Sequence, residues 1–398
     1  MSYIASPHKT QSIYASFEIP YTMEVHFTSD LFAVENPLLK EVLSRAGCSS
    51  GSDFCIFVDS GLTDKNPILA DRIKSYLDAS ALSERFKGTL EIISGGELIK
   101  NEVSCLAFIY DRLHTLCLDR HSIVIGMGGG AFLDALGYAS ATFHRGVRHI
   151  RIPTTLLSQC DSGVGVKNAV NAFGMKNTIG TFMPPSAVLN DITMLSGLTT
   201  KEISNGLAEC IKIALVFDRS FFFWIKENIN LILAGDREAQ STLIVRSAEL
   251  HFNHICRGGD PFERERVRPL DHGHWAAHKL ESISRGRLSH GEAVSIGLAI
   301  DATYSLLLGL MSSVEHEMII ETLRAAGLPT WDNIMNTCTD DSNLAIMDGL
   351  REYQEHIGGD FCITLCAGIG TRLETNTIEL DKMLQAVKLL APPTRLVS

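Results

Sequence analysis

The residues best suited to chemistry gather in one stretch near the middle of the chain, Arg151 to Gly180, which reads RIPTTLLSQCDSGVGVKNAVNAFGMKNTIG. It holds Asp161, Lys167, Lys176 and Asn177 among small and hydroxyl residues. A lysine in a glycine-flanked loop can clamp a phosphate, an asparagine adds neutral donors, and small residues let the backbone approach a ligand closely. A polar surface loop is the bland alternative. Such loops rarely interleave these residues with valine and alanine, so function is the stronger reading. Just upstream, HSIVIGMGGG runs from an apolar strand into a glycine turn. Gly126 and Gly128 to Gly130 permit a tight turn and expose helix amides to a pyrophosphate, a signal that is weak alone. Asp134, one turn into the next helix, suits a ribose or nicotinamide contact, or is simply a solvated first-turn acid.

A second constellation is Glu209, His274, His278 and His290. His274 and His278 lie four apart and share a helix face, while Glu209 interrupts an otherwise apolar helical run. One carboxylate and two of these imidazoles make a Zn²⁺-type triad that leaves a position for substrate oxygens. A lone helical histidine is more often structural, but four such residues together favour a metal. Asp271 and His272, just upstream, suit support of the ligands or contact with substrate.

The elements that must position these groups divide the chain in two. At 398 residues it exceeds one average core, and its character changes near Ser196 to Thr199. Residues 1–197 alternate strand and helix signals: TMEVHFT, FCIFVDSGL ending in Asp59, LEIISGGELIK, HSIVIGMGGG and HIRIPTTLL read as strands of a mostly parallel sheet, a Rossmann-like dinucleotide-binding domain. Residues 198–398 carry helical spacing throughout, except DFCITLCAGIG, which reads as a strand or hairpin. Ala293 to Met311 is apolar, but Asp301 interrupts it, so a buried helix is expected there and not a membrane span. A net charge of −11 without a long basic run argues against nucleic acid or an anionic membrane as main partner. The ten cysteines are scattered and MSYIASPHKT lacks an apolar signal core, which points to a reducing cytoplasm without disulfides.

In this order and spacing, the blocks GGELIK, GMGGGAFLDALGYASATFHRG, the Arg151 to Gly180 stretch, GLAECIK, GHWAAHKLE and HGEAV resemble the dehydroquinate synthase superfamily, the sugar phosphate cyclases. The resemblance runs from about Val58 to Gly370. It implies Glu209, His274 and His290 as ligands of a divalent metal, zinc or cobalt. It implies NAD against Asp59, Glu97, Lys100, Gly128, Gly129, Gly130, Asp134, Thr154 and Thr155, with Lys176, Leu198 and Glu202 beside them. Asp161, Lys167, Asn177, Lys212 and His278 would meet a sugar phosphate, and Arg145 in FHRG would reach the site of a second copy in a homodimer. The implied chemistry is transient oxidation of an alcohol, loss of phosphate, reduction by the same cofactor, ring opening and intramolecular aldol closure.

The departures from the family pattern bear on the substrate. A lysine that binds the substrate carboxylate in dehydroquinate synthases aligns with His254, and its partner arginine with Val267, leaving Arg268 one residue displaced. The asparagine three before the first metal histidine is Asp271, and a C-terminal phosphate lysine is replaced by Glu355-His356. An acid facing a carboxylate is unfavourable, so sedoheptulose 7-phosphate, which has none, is the expected substrate. His278 stands where 2-epi-5-epi-valiolone synthases are expected to carry proline, which points to the 2-epi-valiolone synthase branch. Several blocks also look like the dehydroquinate-synthase-like proteins of ebo gene clusters. The competing expectations are 3-dehydroquinate synthase itself, a metal-dependent polyol dehydrogenase, and a non-catalytic binding protein.

Overall fold

The first half of the chain contributes eight strands: β1 (Glu24–Thr28), β2 (Phe54–Asp59), β3 (Glu91–Ile93), β4 (Ile123–Gly128), β5 (Arg148–Pro153), β6 (Lys167–Ala172), β7 (Met175–Phe182) and β8 (Ala187–Asp191). They come from a computed structural model that describes residues 13–392 except 102, 174, 266, 359 and 360, and, at 356, the backbone only. Six of them form one parallel sheet in the order β1-β8-β5-β4-β2-β3. Helices cover both faces, which is why these strands read as unbroken apolar runs. In β2, Phe54, Ile56 and Val58 join Leu39, Ile73 and Tyr76 on one side, while Cys55 and Phe57 join Ile109, Leu113 and Leu136 on the other.

The connection from β2 leads outward to β3, and the chain then returns to β4 on the opposite side of β2. The carboxyl ends of β2 and β4 therefore part and leave a crevice, the place where open α/β sheets bind ligands. Asp59 ends β2 and the Gly129–Gly130 turn follows β4, so the sheet itself brings them together.

One expectation needs correcting. Residues 167–182 are not a loop but the antiparallel β6–β7 hairpin, separate from the main sheet. In this ribbon Asn168 to Val170 are buried in succession while most of the second strand is exposed, so neither strand alternates and the usual strand signal is masked.

Helices dominate from Thr200 onward. The first, Thr200–Phe217, opens on a capping box between Thr199 and Glu202. Arg219–Leu233, Arg237–Arg257, His274–Ile283, Ser313–Ala325 and Asp348–Ile357 follow with His290–Leu307 at the centre, buried almost all round. The apolar run around Asp301 is thus a core helix, and among the described residues no helix is long and apolar enough to cross a membrane. The expected late hairpin is present as β9 (Ile363–Cys366) and β10 (Arg372–Thr375). Gly273, at φ +77°, sits against the central helix so closely that a Cβ on Gly297 would lie 2.0 Å from its carbonyl oxygen. This approach is open only to glycine, and it brings the His274 and His290 helices together.

Candidate active site

A cavity of about 1190 Å³ opens at the carboxyl ends of β2, β4 and β5. Asp59, Glu97, Lys100, Gly129, Gly130, Asp134, Thr154, Thr155, Lys176, Leu198 and Glu202 all line it. Gly128 does not: it is the buried last residue of β4, and only the two glycines after it reach the cavity. Asp59 accepts a 2.9 Å hydrogen bond from the Gly61 amide, and burial raises its carboxyl above the ordinary value. A Cβ on Gly95 would stand 2.0 Å from that carboxylate, so glycine is required there. Lys100 is almost buried and donates to Asp134 at 2.8 Å and, in a shorter contact, to Asn177 Oδ1. Asn177 therefore lines the same cavity as the β4 turn.

At the far end the cavity reaches His278, Glu281 and His290. Behind them, one donor atom each from Glu209, His274 and His290 lies within 4.8 Å of the others. His290 Nε2 is 3.0 Å and His274 Nε2 3.6 Å from Glu209 Oε1. His278 is outside this group, its ring centre 5.5 Å from that of His274. The structure thus separates the three imidazoles that spacing alone left equivalent. A divalent cation of the zinc type fits these donors, because each ring also has an acceptor for its other nitrogen. His274 Nδ1 faces the His272 carbonyl at 3.2 Å, and His290 Nδ1 faces Glu281 at 3.3 Å, leaving both Nε2 atoms directed at Glu209. Asp301 fixes the start of the His274 helix, accepting from the Gly273 amide at 2.9 Å and from Trp275 Nε1 at 2.8 Å.

Asp161 sits on a single π-helical turn, Ser158–Ser162, a local geometry found disproportionately at functional sites. Arg151, fully buried in β5, donates to the carbonyls of Gly163 (3.0 Å), Gly165 (2.8 Å) and Lys167 (3.1 Å) and to Asn168 Oδ1 (2.6 Å). It therefore fixes the segment that carries Asp161 and Lys167. Lys212 lies 2.5 Å from Glu209 and 3.6 Å from Asp161, which also meets His251 at 2.5 Å. His278 is half-buried on the cavity wall and its pKa is lowered to about 3, by desolvation first and His274 second, so its imidazole is neutral at physiological pH.

Around His254 the structure shows a different neighbour reaching Asp161. That ring packs on Phe217 at 5.3 Å and does not line the cavity, whereas His251, one helical turn earlier, reaches Asp161. Arg268 is mostly buried, with Nη1 3.9 Å from Asp271 and Nη2 3.3 Å from the Glu263 carbonyl. Lys167 pairs closely with Glu263 and lies 4.0 Å from Asp271, whose other carboxylate oxygen faces the Tyr353 hydroxyl at 3.4 Å. Arg145 is exposed at φ +67° and away from the cavity. The His356 side chain lies outside the described residues.

Glu263, His251, Glu281 and Arg151 were not singled out in the sequence. Arg151 carried a signal, a charge inside an apolar run; Glu263, His251 and Glu281 became visible only through contacts distant in sequence.

Burial sets the acid stability of this region. Burial holds His149 and His254 below the ordinary histidine value, helped by Arg151 for the first and His251 for the second. Burial would raise the Asp161 carboxyl, but Lys212 and His251 together outweigh it and Glu209, and hold it low. All three folded pKa values are depressed, so the unfolded chain binds more protons as pH falls and stability drops with it. The melting temperature should decline from about pH 6.5, where free histidine titrates, and more steeply below about pH 4. A flat melting temperature between those values would contradict this.

Two family models match in tandem, 3-dehydroquinate synthase N-terminal over residues 90–205 and 3-dehydroquinate synthase C-terminal over residues 206–348. The chain belongs to the 3-dehydroquinate synthase family. It is therefore an enzyme of the sugar phosphate cyclase type. It is 33% identical over 351 residues to a 2-epi-5-epi-valiolone synthase from Streptomyces glaucescens, covering 87% of this chain and 84% of that protein. It is 38% identical over 222 residues to a 3-dehydroquinate synthase from Pelotomaculum thermopropionicum, covering 56% of this chain and 59% of the relative. Among solved structures, ValA, a 2-epi-5-epi-valiolone synthase from Streptomyces hygroscopicus subsp. jinggangensis with NAD⁺ and Zn²⁺ bound, superposes with a TM-score of 0.83 at 26% identity. That match covers 96% of this chain and 99% of ValA.

Proposed function

We propose that this enzyme is an NAD- and metal-dependent cyclase of a heptulose 7-phosphate without a carboxylate, sedoheptulose 7-phosphate, closing it to a C7 cyclitol such as 2-epi-valiolone with loss of phosphate. One observation carries the choice of substrate. Lys167 and Arg268 meet Glu263 and Asp271, two cations against two carboxylates, beside the metal triad. The cluster is charge-balanced and has no spare cation for a substrate carboxylate. The longer of the two relative matches, to a valiolone synthase, supports the same choice over 3-dehydroquinate synthase.

NAD supplies a hydride acceptor that is regenerated within each turnover, and the divalent ion supplies a Lewis acid. In this reading the residues lining the cavity bind and orient the dinucleotide, and Glu209, His274 and His290 hold the metal. Lys212 and Asp161 hold substrate hydroxyls, with Asp161 fixed by His251. Neutral His278, on the cavity wall, hydrogen-bonds a substrate hydroxyl through its imidazole. Lys167 and Asn177 receive the phosphate, for which Lys167 must part from Glu263. Arg268 and Asp271 face the far end of the sugar, while His254 packs on Phe217.

Purified enzyme given sedoheptulose 7-phosphate should release inorganic phosphate with no net accumulation of NADH. NADH formed in step with product would instead identify a polyol dehydrogenase.

We also propose a homodimer, in the cytoplasm, in which Arg145 serves the neighbouring site. The exposed Phe173, Met175, Ile179 and Phe182 of the β6–β7 hairpin support association, and cysteines joined by no disulfide among the described residues suit a reducing compartment. Arg145→Ala and Glu209→Ala should each be inactive alone. Mixed after dissociation, they should recover up to about a quarter of wild-type activity, since half the dimers would contain one intact site. No recovery on mixing would place Arg145 in its own subunit's site or outside catalysis.

A further inference from the structure

Glu281 stands between the two sites that the function requires. It lies in the His274–Ile283 helix with its side chain almost fully buried. One carboxylate oxygen accepts from Lys176 at 2.7 Å, and the other is 3.3 Å from His290 Nδ1. The opposite nitrogen of His290 faces Glu209 at 3.0 Å. Lys176 arrives from the β6–β7 hairpin and is also 3.5 Å from Glu97 on the cofactor side. Lys176, Glu281 and His290 all border the cavity described above.

We propose that Glu281 is a positioning residue that sets the metal and dinucleotide sites together, orienting His290 with one oxygen and holding the Lys176 ammonium in the cavity with the other. This rests on the proposed reading of Glu209, His274 and His290 as metal ligands and of the cavity as the NAD site. An Nδ1–H donated to Glu281 fixes the imidazole tautomer that leaves the Nε2 lone pair free for a metal, and it stops the ring from turning. The same carboxylate anchors a lysine that otherwise has three rotatable donors on a flexible stem. One side chain from the helical half therefore ties the hairpin of the first half to a metal ligand.

The test is Zn²⁺ and NAD⁺ titration, by calorimetry, of metal-stripped wild type, Glu281→Ala, Glu281→Gln and Lys176→Met, each first checked for native circular dichroism. Glu281→Ala should weaken Zn²⁺ about 10–100-fold, the usual effect of losing a group that orients a ligand, and should weaken NAD⁺ as well. Lys176→Met should weaken NAD⁺ while leaving Zn²⁺ affinity within about threefold. Glu281→Gln is nearly isosteric and keeps an acceptor for His290, but cannot pair as an anion with Lys176. It should lose NAD⁺ affinity and keep most Zn²⁺ affinity, and it serves where the alanine variant does not fold. Unchanged Zn²⁺ affinity in folded Glu281→Ala, or NAD⁺ affinity at the wild-type level in Glu281→Gln, overturns the proposal. Wild type that binds neither ligand overturns the underlying reading, and the proposal with it.

Discussion

Lys212→Met should destabilise the metal-free enzyme by about 3–5 kcal/mol, the usual consequence of removing one partner from a buried ion pair. The Lys212 side chain is 2% exposed, and the carboxylates it faces, Glu209 and Asp161, are 0% and 13% exposed. Burial alone would lower the lysine pKa, but these two acids outweigh it and keep the ammonium charged. Methionine matches the stem in size but leaves Glu209 and Asp161 close together without the cation between them. Part of the loss should return on adding Zn²⁺, because a cation at the Glu209, His274 and His290 donors compensates one of the two carboxylates. Thermal unfolding of both proteins, with and without Zn²⁺, measures this. A variant as stable as wild type without metal would mean that Glu209 is protonated and the ion pair is not formed.

Asp271→Asn should move substrate preference towards the heptulosonate 7-phosphate, which carries a carboxylate where sedoheptulose 7-phosphate has none. Burial would raise the Asp271 carboxyl, but Lys167 and His274, followed by Arg268, hold it far below the ordinary range, so it is an anion at neutral pH. Asparagine removes that charge and leaves Arg268 and Lys167 facing Glu263 alone. The cation released is then available for a charge-assisted hydrogen bond, which contributes about 1.5–3 kcal/mol. The ratio of kcat/KM for the acid over the neutral sugar should rise about 10–100-fold. An unchanged ratio would remove Asp271 from the recognition of substrate.

The parts of the fold legible in the sequence were those governed by local periodicity. Strands β2 and β4 are buried on both faces and appear as apolar runs ending in Asp59 and in glycines, so the crevice could be placed from the chain alone. The metal group was legible because an acid and histidines in apolar helices are costly without partners. Spacing could not choose among the three histidines, since the choice depends on how closely Gly297 lets two helices approach. The hairpin was missed because one of its strands is largely buried and the other largely exposed, so neither shows a strand's alternation. His251 was not legible because its contact with Asp161 depends on the direction of a helical side chain, which follows from helix packing. Glu263 and Glu281 act through partners far away in the chain, Lys167 and Lys176, and no local pattern marks such pairs.

Side-by-side turnover of sedoheptulose 7-phosphate and the heptulosonate 7-phosphate, with NAD⁺ and Zn²⁺ supplied and phosphate and NADH followed together, tests the central claim most directly. The balanced charges at Lys167, Arg268, Glu263 and Asp271 predict phosphate release from sedoheptulose 7-phosphate, a cyclitol product and no net NADH. Rapid phosphate release from the heptulosonate alone would contradict it and identify a 3-dehydroquinate synthase.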